Sequence, residues 1–436
     1  MASPAAARDE GLRRGIGAFG LAAATVNAVI GAGIFSLPAG MARAAGPYAL
    51  VAYLLCALAM AAVVLCFAEA GSRVPTSGGP YGTVEAAFGP LPGFVMGVLL
   101  WLAAVLASGG IAAGLADALA RFAPALGAPG ARMGIIVAVL GGLALVNLAG
   151  ARFASRLIAA ATTVKLLPLL LFVGVGLFFL EPAKLGAGAP PDAAGVGRAV
   201  LLSLFAFQGM ETALGVSGEV ANPARTLPRA LIGAMAFVTI AYVAIQLVAQ
   251  GLLGAGLGAS KAPLADGMAL VDPRLGLLLL AGTAVSLGAW LGSDLLGAPR
   301  MLFAFARDGF LPRALGRVSA RHVPANAIIA HALIAIALAV TGTFEELVVL
   351  SSLAGCALYI GGCAAAWRLR QKDVQLAGTP VRLPLLGLWA MLGIASMATC
   401  IALGSWAEIG GLAAVIVTSV LLFALVRRPA PLGAAI

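Results

Sequence analysis

Charge is what this sequence has least of: Lys, Arg, Asp and Glu make up 10% of its 436 residues, against 62% hydrophobic ones. Too few polar side chains remain to cover a soluble globule of that length, and a mean hydropathy of +1.06 agrees. The chain therefore reads as an integral membrane protein. Histidine is nearly absent, and its two copies, His322 and His331, stand apart with no metal-ligand company. The five cysteines (Cys56, Cys66, Cys356, Cys363 and Cys400) lie inside apolar runs without metal spacing, so neither zinc nor a disulfide is expected, and no cofactor. No nucleophile–base pair or metal cluster falls at suitable spacing, which argues against an intramembrane enzyme. The net charge of +10 forms no basic stripe, which excludes a nucleic-acid groove; the basic residues sit in short connections between apolar runs. The polar start MASPAAARDEGLRRG and the length of the first apolar run argue against a cleavable signal peptide. No connection is long enough to hold a soluble domain, so residues 1–436 are expected to form one membrane domain.

What is present is a series of twelve apolar runs, roughly 16–45, 49–71, 86–119, 133–150, 155–180, 196–218, 229–254, 274–305, 325–342, 345–368, 384–404 and 408–427. Each can cross a bilayer. With the N-terminal segment 1–15 placed in the cytoplasm, nineteen of the 27 Lys and Arg residues fall inside and seven outside, with Lys165 left within the fifth run. That asymmetry predicts a multi-pass protein of a bacterial cytoplasmic membrane with both termini inside.

Two runs are interrupted. Asn27–Pro38 (NAVIGAGIFSLP) places Gly31, Gly33 and Pro38 mid-run, and Phe205–Gly218 (FAFQGMETALGVSG) places glycines and Glu211 there. A helix broken at mid-membrane leaves peptide groups that hydrocarbon cannot satisfy, so each break must line a polar cavity or pack in protein. Interrupted helices in corresponding positions of two halves point to the central site of a secondary transporter. Breaks in runs one and six predict a five-helix repeat over 16–180 and its inverted copy over 196–368, with 384–427 adding two helices. Amides around Ala32, Gly33 and Ile34 suit a carboxylate; carbonyls near Phe205, Ala206 and Gln208 suit an ammonium. Together they fit an α-amino acid. Glycines also serve close helix packing, but two breaks in this order favour the site over packing, and an occluded site argues against a channel. Lys165, in TTVKLLPLL, has about ten residues of its run on either side and lies too deep to snorkel, so it should face a cavity or a partner.

The stretches GAGIFSLP (Gly31–Pro38), SGGPY (Ser77–Tyr81), GMETALGVSGEVANPARTLPRA (Gly209–Ala230) and ARDGFLP (Ala306–Pro312) resemble the amino acid–polyamine–organocation superfamily of permeases across spans one to ten. The resemblance implies an all-α, LeuT-like membrane fold of twelve helices: a five-plus-five inverted repeat with helices one and six discontinuous, and two extra C-terminal helices. It implies that the amides of Ala32 and Gly33 hold a substrate carboxylate and the carbonyls of Val29, Phe205 and Gln208 its amine. Phe205 occupies a gate position, Trp290 a pocket aromatic, and Ala103, Ser108 and Ile111 complete the pocket. In sodium-independent relatives a lysine replaces the sodium ion, which implies that Lys165 contacts Ser286 and the carbonyls near Val26–Ile30. Glu211 matches a gating carboxylate of the arginine/agmatine exchanger, but the tyrosine that partners it there corresponds here to Leu100; accepting hydrogen bonds from freed backbone is the structural alternative. Glu219 is expected to order a loop with Arg225 or Arg229, and Asp294 either to line the inner path or to pair with Arg300.

No acidic side chain falls among these pocket positions, so a cationic substrate lacks a counter-charge other than Glu211. Sodium-independent transport of neutral amino acids by alternating access is therefore expected, with proton symport and exchange both open. The alternative is a cationic amino acid or polyamine exchanger that uses Glu211 and Asp294.

Overall fold

The computed structural model describes residues 15–31, 33–75, 79–149, 166–186, 191–215, 217, 220–376 and 379–426. The expectations on Ala32, Ser77, Lys165 and Glu219 fall outside the described residues. Among those described, the ordered elements are helical, apart from an isolated bridge between Ile16 and Val220. In chain order the α-helices are α1 (Ala18–Val29), α2 (Gly33–Ala45), α3 (Ala49–Arg73), α4 (Gly79–Phe88), α5 (Pro90–Leu119), α6 (Pro129–Ala149), α7 (Leu166–Phe179), α8 (Ala193–Phe207) and α9 (Thr212–Gly215). They continue with α10 (Pro223–Leu253), α11 (Pro263–Ala269), α12 (Pro273–Gly297), α13 (Pro299–Arg307), α14 (Ala325–Thr341), α15 (Phe344–Gln371), α16 (Leu386–Ala402) and α17 (Trp406–Val426).

Local sequence accounts for the boundaries. Proline stands in the first turn of α5, α10, α12 and α13, where its missing N–H has no helical partner to lose. A capping box of Thr343 and Glu346 starts α15. Both expected interruptions are present: α1 ends as Ile30 turns to ψ 70°, and α8 ends before the turn Gln208–Glu211.

Among the described residues, seven helical stretches are long and apolar enough to cross a membrane by themselves, and five shorter apolar helices accompany them. The fifth run is described only from Leu166; for four of the others the difference from full-length runs has physical causes. Breaks divide the first and sixth runs, while α14 and α16 are 17 residues each, about 26 Å at helical rise.

Packing gathers most of the helices into two groups, with α15 lying against both. In one, α3 and α1 lie on α10, and α2 on α8; in the other, α5 carries α12, α14 and α15, and α6 joins α14. At the end of the molecule rich in Arg, the groups are tied by the fully buried Glu69 of α3. Its Oε1 accepts from Arg73 Nε at 3.0 Å and Arg370 Nε at 2.7 Å, and Oε2 from the Leu383 N–H at 3.0 Å. A second contact joins Arg370 Nη2 to Oε2. Asp373, just past α15, lies 3.6 Å from Arg73. The Gln375 amide, and then Arg382, hold its carboxyl below the usual carboxylate range, so it remains an anion.

Candidate functional site

The two breaks touch. Gly209 adopts φ 113°, and a Cβ there would stand 2.9 Å from the Ala28 carbonyl oxygen, so the turn after α8 lies directly on the end of α1. Tyr242 of α10 joins the same two ends: its hydroxyl is 2.9 Å from the Val29 carbonyl oxygen and 2.8 Å from that of Ala206. One hydrogen serves two acceptors, so one of these carbonyls always goes without it. The Val29 oxygen also accepts from Gly31 N–H at 2.6 Å, and the Phe205 oxygen from Gln208 N–H at 3.2 Å. The Val29 carbonyl, expected to meet a substrate amine, thus already has a donor in Gly31 N–H and shares the Tyr242 hydroxyl with Ala206.

Replacing Tyr242 by Phe is expected to destabilise the fold by about 1–3 kcal/mol, because two buried carbonyls lose their shared donor. Tyr53→Phe is the control, since the Tyr53 hydroxyl is buried without a partner among the described residues. Thermal unfolding in detergent should lower the midpoint for Tyr242→Phe and leave or raise it for Tyr53→Phe.

Around the breaks lies a cavity of about 440 Å³, within the usual range for small-molecule sites. Of the residues predicted from sequence, Val29, Gly33, Ile34, Ala103, Ile111, Phe205, Ala206, Gln208, Glu211 and Trp290 line it. Gly31 and Gly33 let large rings close on the backbone: a Cβ would come within 2.8 Å of the Trp290 indole at the first and 2.9 Å of the Phe205 ring at the second. The free N–H groups of α2's first turn lie at this wall, as does the carbonyl end of α8. Ser108 and Ser286 are fully buried and do not line the cavity; the Ser108 hydroxyl donates to Asp294, which does.

Glu211 accepts from Gly209 N–H at 3.0 and 3.2 Å and from the Tyr359 hydroxyl of α15 at 2.9 Å. The tyrosine beside it thus comes from α15, not from the Leu100 position. Gln208 reaches α15 as well, its side chain lying against Gly355 and 3.4 Å from the Ser351 carbonyl.

The other side of the cavity corrects the expectation that no carboxylate besides Glu211 meets the pocket. Asp294 lines it, one helical turn after Trp290 and therefore on the same face of α12. It does not pair with Arg300. Its Oδ2 accepts from Ser108 at 2.6 Å and lies 3.0 Å from His331 Nε2, and Trp101 Nε1–H donates to His331 Nδ1 at 3.2 Å. His331, isolated in sequence, is fully buried in α14. The available signal was its position seven residues into an apolar run, since an ionisable group inside a span is functional by default.

Away from the Arg-rich end, the cavity-lining Phe205 meets Phe344 edge-on at 6.4 Å, and Arg43 pairs with Glu345 at 2.5 Å. Toward the Arg-rich end the lining continues through Leu100, Gly297 and Met301.

A family model described as Amino acid permease matches residues 16–427. The branched-chain amino acid permease BcaP of Lactococcus lactis subsp. cremoris (strain MG1363) is 30% identical over 355 residues, 75% of each chain. That of Bacillus subtilis (strain 168) is 30% identical over 336 residues, covering 72% of this chain and 71% of the relative. A methylthioribose transporter of the same Bacillus strain is also 30% identical over 336 residues, 72% of each chain. With broken helices meeting at a cavity and a match over nearly its whole length, the chain belongs to the amino acid permease family of the amino acid–polyamine–organocation superfamily.

Proposed function

We propose that the protein carries neutral amino acids with apolar side chains, branched-chain ones included, across the cytoplasmic membrane by sodium-independent alternating access. The observation that carries this reading is the meeting of two helix breaks of opposite backbone polarity at one cavity. N–H groups of Gly33 and Ile34, with Ala32 beside them, face a substrate carboxylate. The carbonyl end of α8 at Phe205, Ala206 and Gln208 faces its ammonium. The side-chain end is bounded by Ala103, Ala107, Ile111 and Trp290, which suits an aliphatic group. Relatives named as branched-chain amino acid permeases support the same class.

The twelve-span inverted-repeat architecture, with both termini cytoplasmic, completes the reading. Movement of the α1–α3, α8, α10 group against the α5, α6, α12, α14 group would alternate access, the Phe205–Phe344 contact acting as the outer closure. Lys165 takes the place of a sodium ion. In support, Pro168 of α7 packs on Gly282, one turn outward of Ser286, and the buried Ser286 hydroxyl lacks a hydrogen-bond partner among the described residues.

The cationic-substrate alternative draws on the two cavity carboxylates, but both are engaged in bonds to protein donors. Proteoliposome uptake of a labelled amino acid panel tests the reading, with sodium, pH gradient and internal amino acid varied in turn. Leucine, isoleucine or valine should be taken up without sodium, and Lys165→Ala should change the rate or its pH dependence. Obligatory sodium would overturn the role of Lys165, and preferential uptake of arginine or polyamines, lost in Glu211→Gln, would overturn the substrate class.

A further inference from the structure

We infer that Asp294, positioned by His331, Trp101 and Ser108, is a proton-binding site in the wall of the transport cavity, occupied and vacated as the cavity alternates. The inference rests on the transport reading above and assigns the proton to a group other than Lys165.

Hydrogen-bond direction decides the protonation chemistry. An indole nitrogen only donates, so the 3.2 Å contact from Trp101 requires His331 Nδ1 to be the bare nitrogen. The ring hydrogen then sits on Nε2 and points at Asp294 Oδ2, 3.0 Å away. A proton on Nδ1 would oppose the Trp101 N–H. Ser108 donates to the same Oδ2. Both bonds fall on one oxygen, which leaves Asp294 Oδ1 without a hydrogen bond among the described residues. A proton arriving from water at the open end of the cavity adds to Oδ1. It converts carboxylate to carboxylic acid and breaks no existing bond, so only the charge of the cavity wall changes.

Glu211 is less suited to the task, since Gly209 N–H engages both of its oxygens and Tyr359 adds a second donor. No Lys or Arg is among the described cavity-lining residues. From the elements packed on α12, His331 of α14 is the titratable group that meets Asp294. Asp117 of α5 pairs with Arg132 of α6, and Asp266 of α11 with Arg121, all at the far end of the helices. Arg300 and Arg307 of α13 make no ion pair with Asp294, the described part of α7 holds no ionisable side chain, and α12's own Arg274 and Asp272 lie at its opposite end. A buried carboxylate without a counter-charge is costly inside a membrane, and a proton removes that cost.

The full-length protein in proteoliposomes tests the assignment through the ratio of leucine accumulation driven by a pH gradient to leucine counterflow at equal pH. A gradient of about one pH unit can sustain about tenfold accumulation for one coupled proton. Native protein should accumulate leucine and acidify the lumen together. Asp294→Asn should abolish accumulation while reducing counterflow far less. Trp101→Phe removes the donor that fixes the His331 tautomer, so it should move the pH midpoint of uptake. Accumulation by Asp294→Asn, an equal loss of both activities, or an unmoved midpoint in Trp101→Phe would overturn the site. Counterflow without proton movement in the native protein would overturn it while leaving amino acid transport intact; failure of native protein to carry any amino acid would overturn the transport reading itself.

Discussion

Alanine at position 69 is expected to cost about 3–5 kcal/mol of stability, because it strands a buried cation. Glu69 and Arg73 are both fully buried and lie 2.9 Å apart, four residues along α3. Without the carboxylate, Arg73 keeps the Val374 carbonyl at 3.3 Å and Asp373 at 3.6 Å, neither of which replaces a contact at direct hydrogen-bond distance inside the protein. Arg370 and the Leu383 N–H lose their acceptor in the same step, so the tie between α3, α15 and the segment leading to α16 is released. Glu69→Gln keeps one carbonyl acceptor and should fall between alanine and native protein. Arg370→Gln should be milder than Glu69→Ala, since Arg370 is 28% exposed and its loss strands nothing cationic. Fluorescence-detected size exclusion after graded heating ranks the four proteins. An alanine variant as stable as native protein would mean that Arg73 finds solvent, contrary to its burial.

The helix breaks were legible because glycine and proline inside an apolar run have few explanations in a membrane. The positions of Trp290 and Phe205 beside them followed from the family resemblance; the glycines that admit their rings were visible, but the contact itself depends on backbones brought together from distant segments. Asp294 and His331 illustrate what a one-dimensional pattern withholds. They are 37 residues apart on different helices, and neither belongs to a motif with fixed spacing. Arg73 stands one helical turn from Glu69, but Arg370 is 301 residues away from it, so the cross-helix half of this cluster could not be paired from sequence alone. Tyr242 is a similar case: a tyrosine in an apolar run reads as core, and its hydroxyl gains meaning only when Val29 and Ala206 arrive on either side of it.

Gly209→Ala is expected to reduce transport severely, by about tenfold or more, the equivalent of roughly 1.4 kcal/mol or more in the conformations that bind substrate. Two independent effects act at this residue. A φ of 113° strains any residue with a Cβ, at an order of 1–3 kcal/mol. The added carbon would also stand 2.9 Å from the Ala28 oxygen, 3.0 Å from the Ala28 carbonyl carbon and 3.2 Å from Val29 Cα. These neighbours are backbone, with no flexible side chain to swing away. Relief requires the turn after α8 to withdraw from the end of α1, which separates the two carbonyls bridged by Tyr242 and moves the Gly209 N–H away from Glu211. Gly215→Ala provides the control, since nothing lies within 4 Å of its Cβ position and its φ is not positive; a stability change within about 0.5 kcal/mol is expected there. Initial uptake rates and unfolding midpoints of both variants separate a local lesion from a general one. Native uptake by Gly209→Ala would mean that the breaks need not touch during the transport cycle. Impaired uptake with most of the protein still folded would place the cost on the junction of the breaks, where the substrate's two charged ends are to be held.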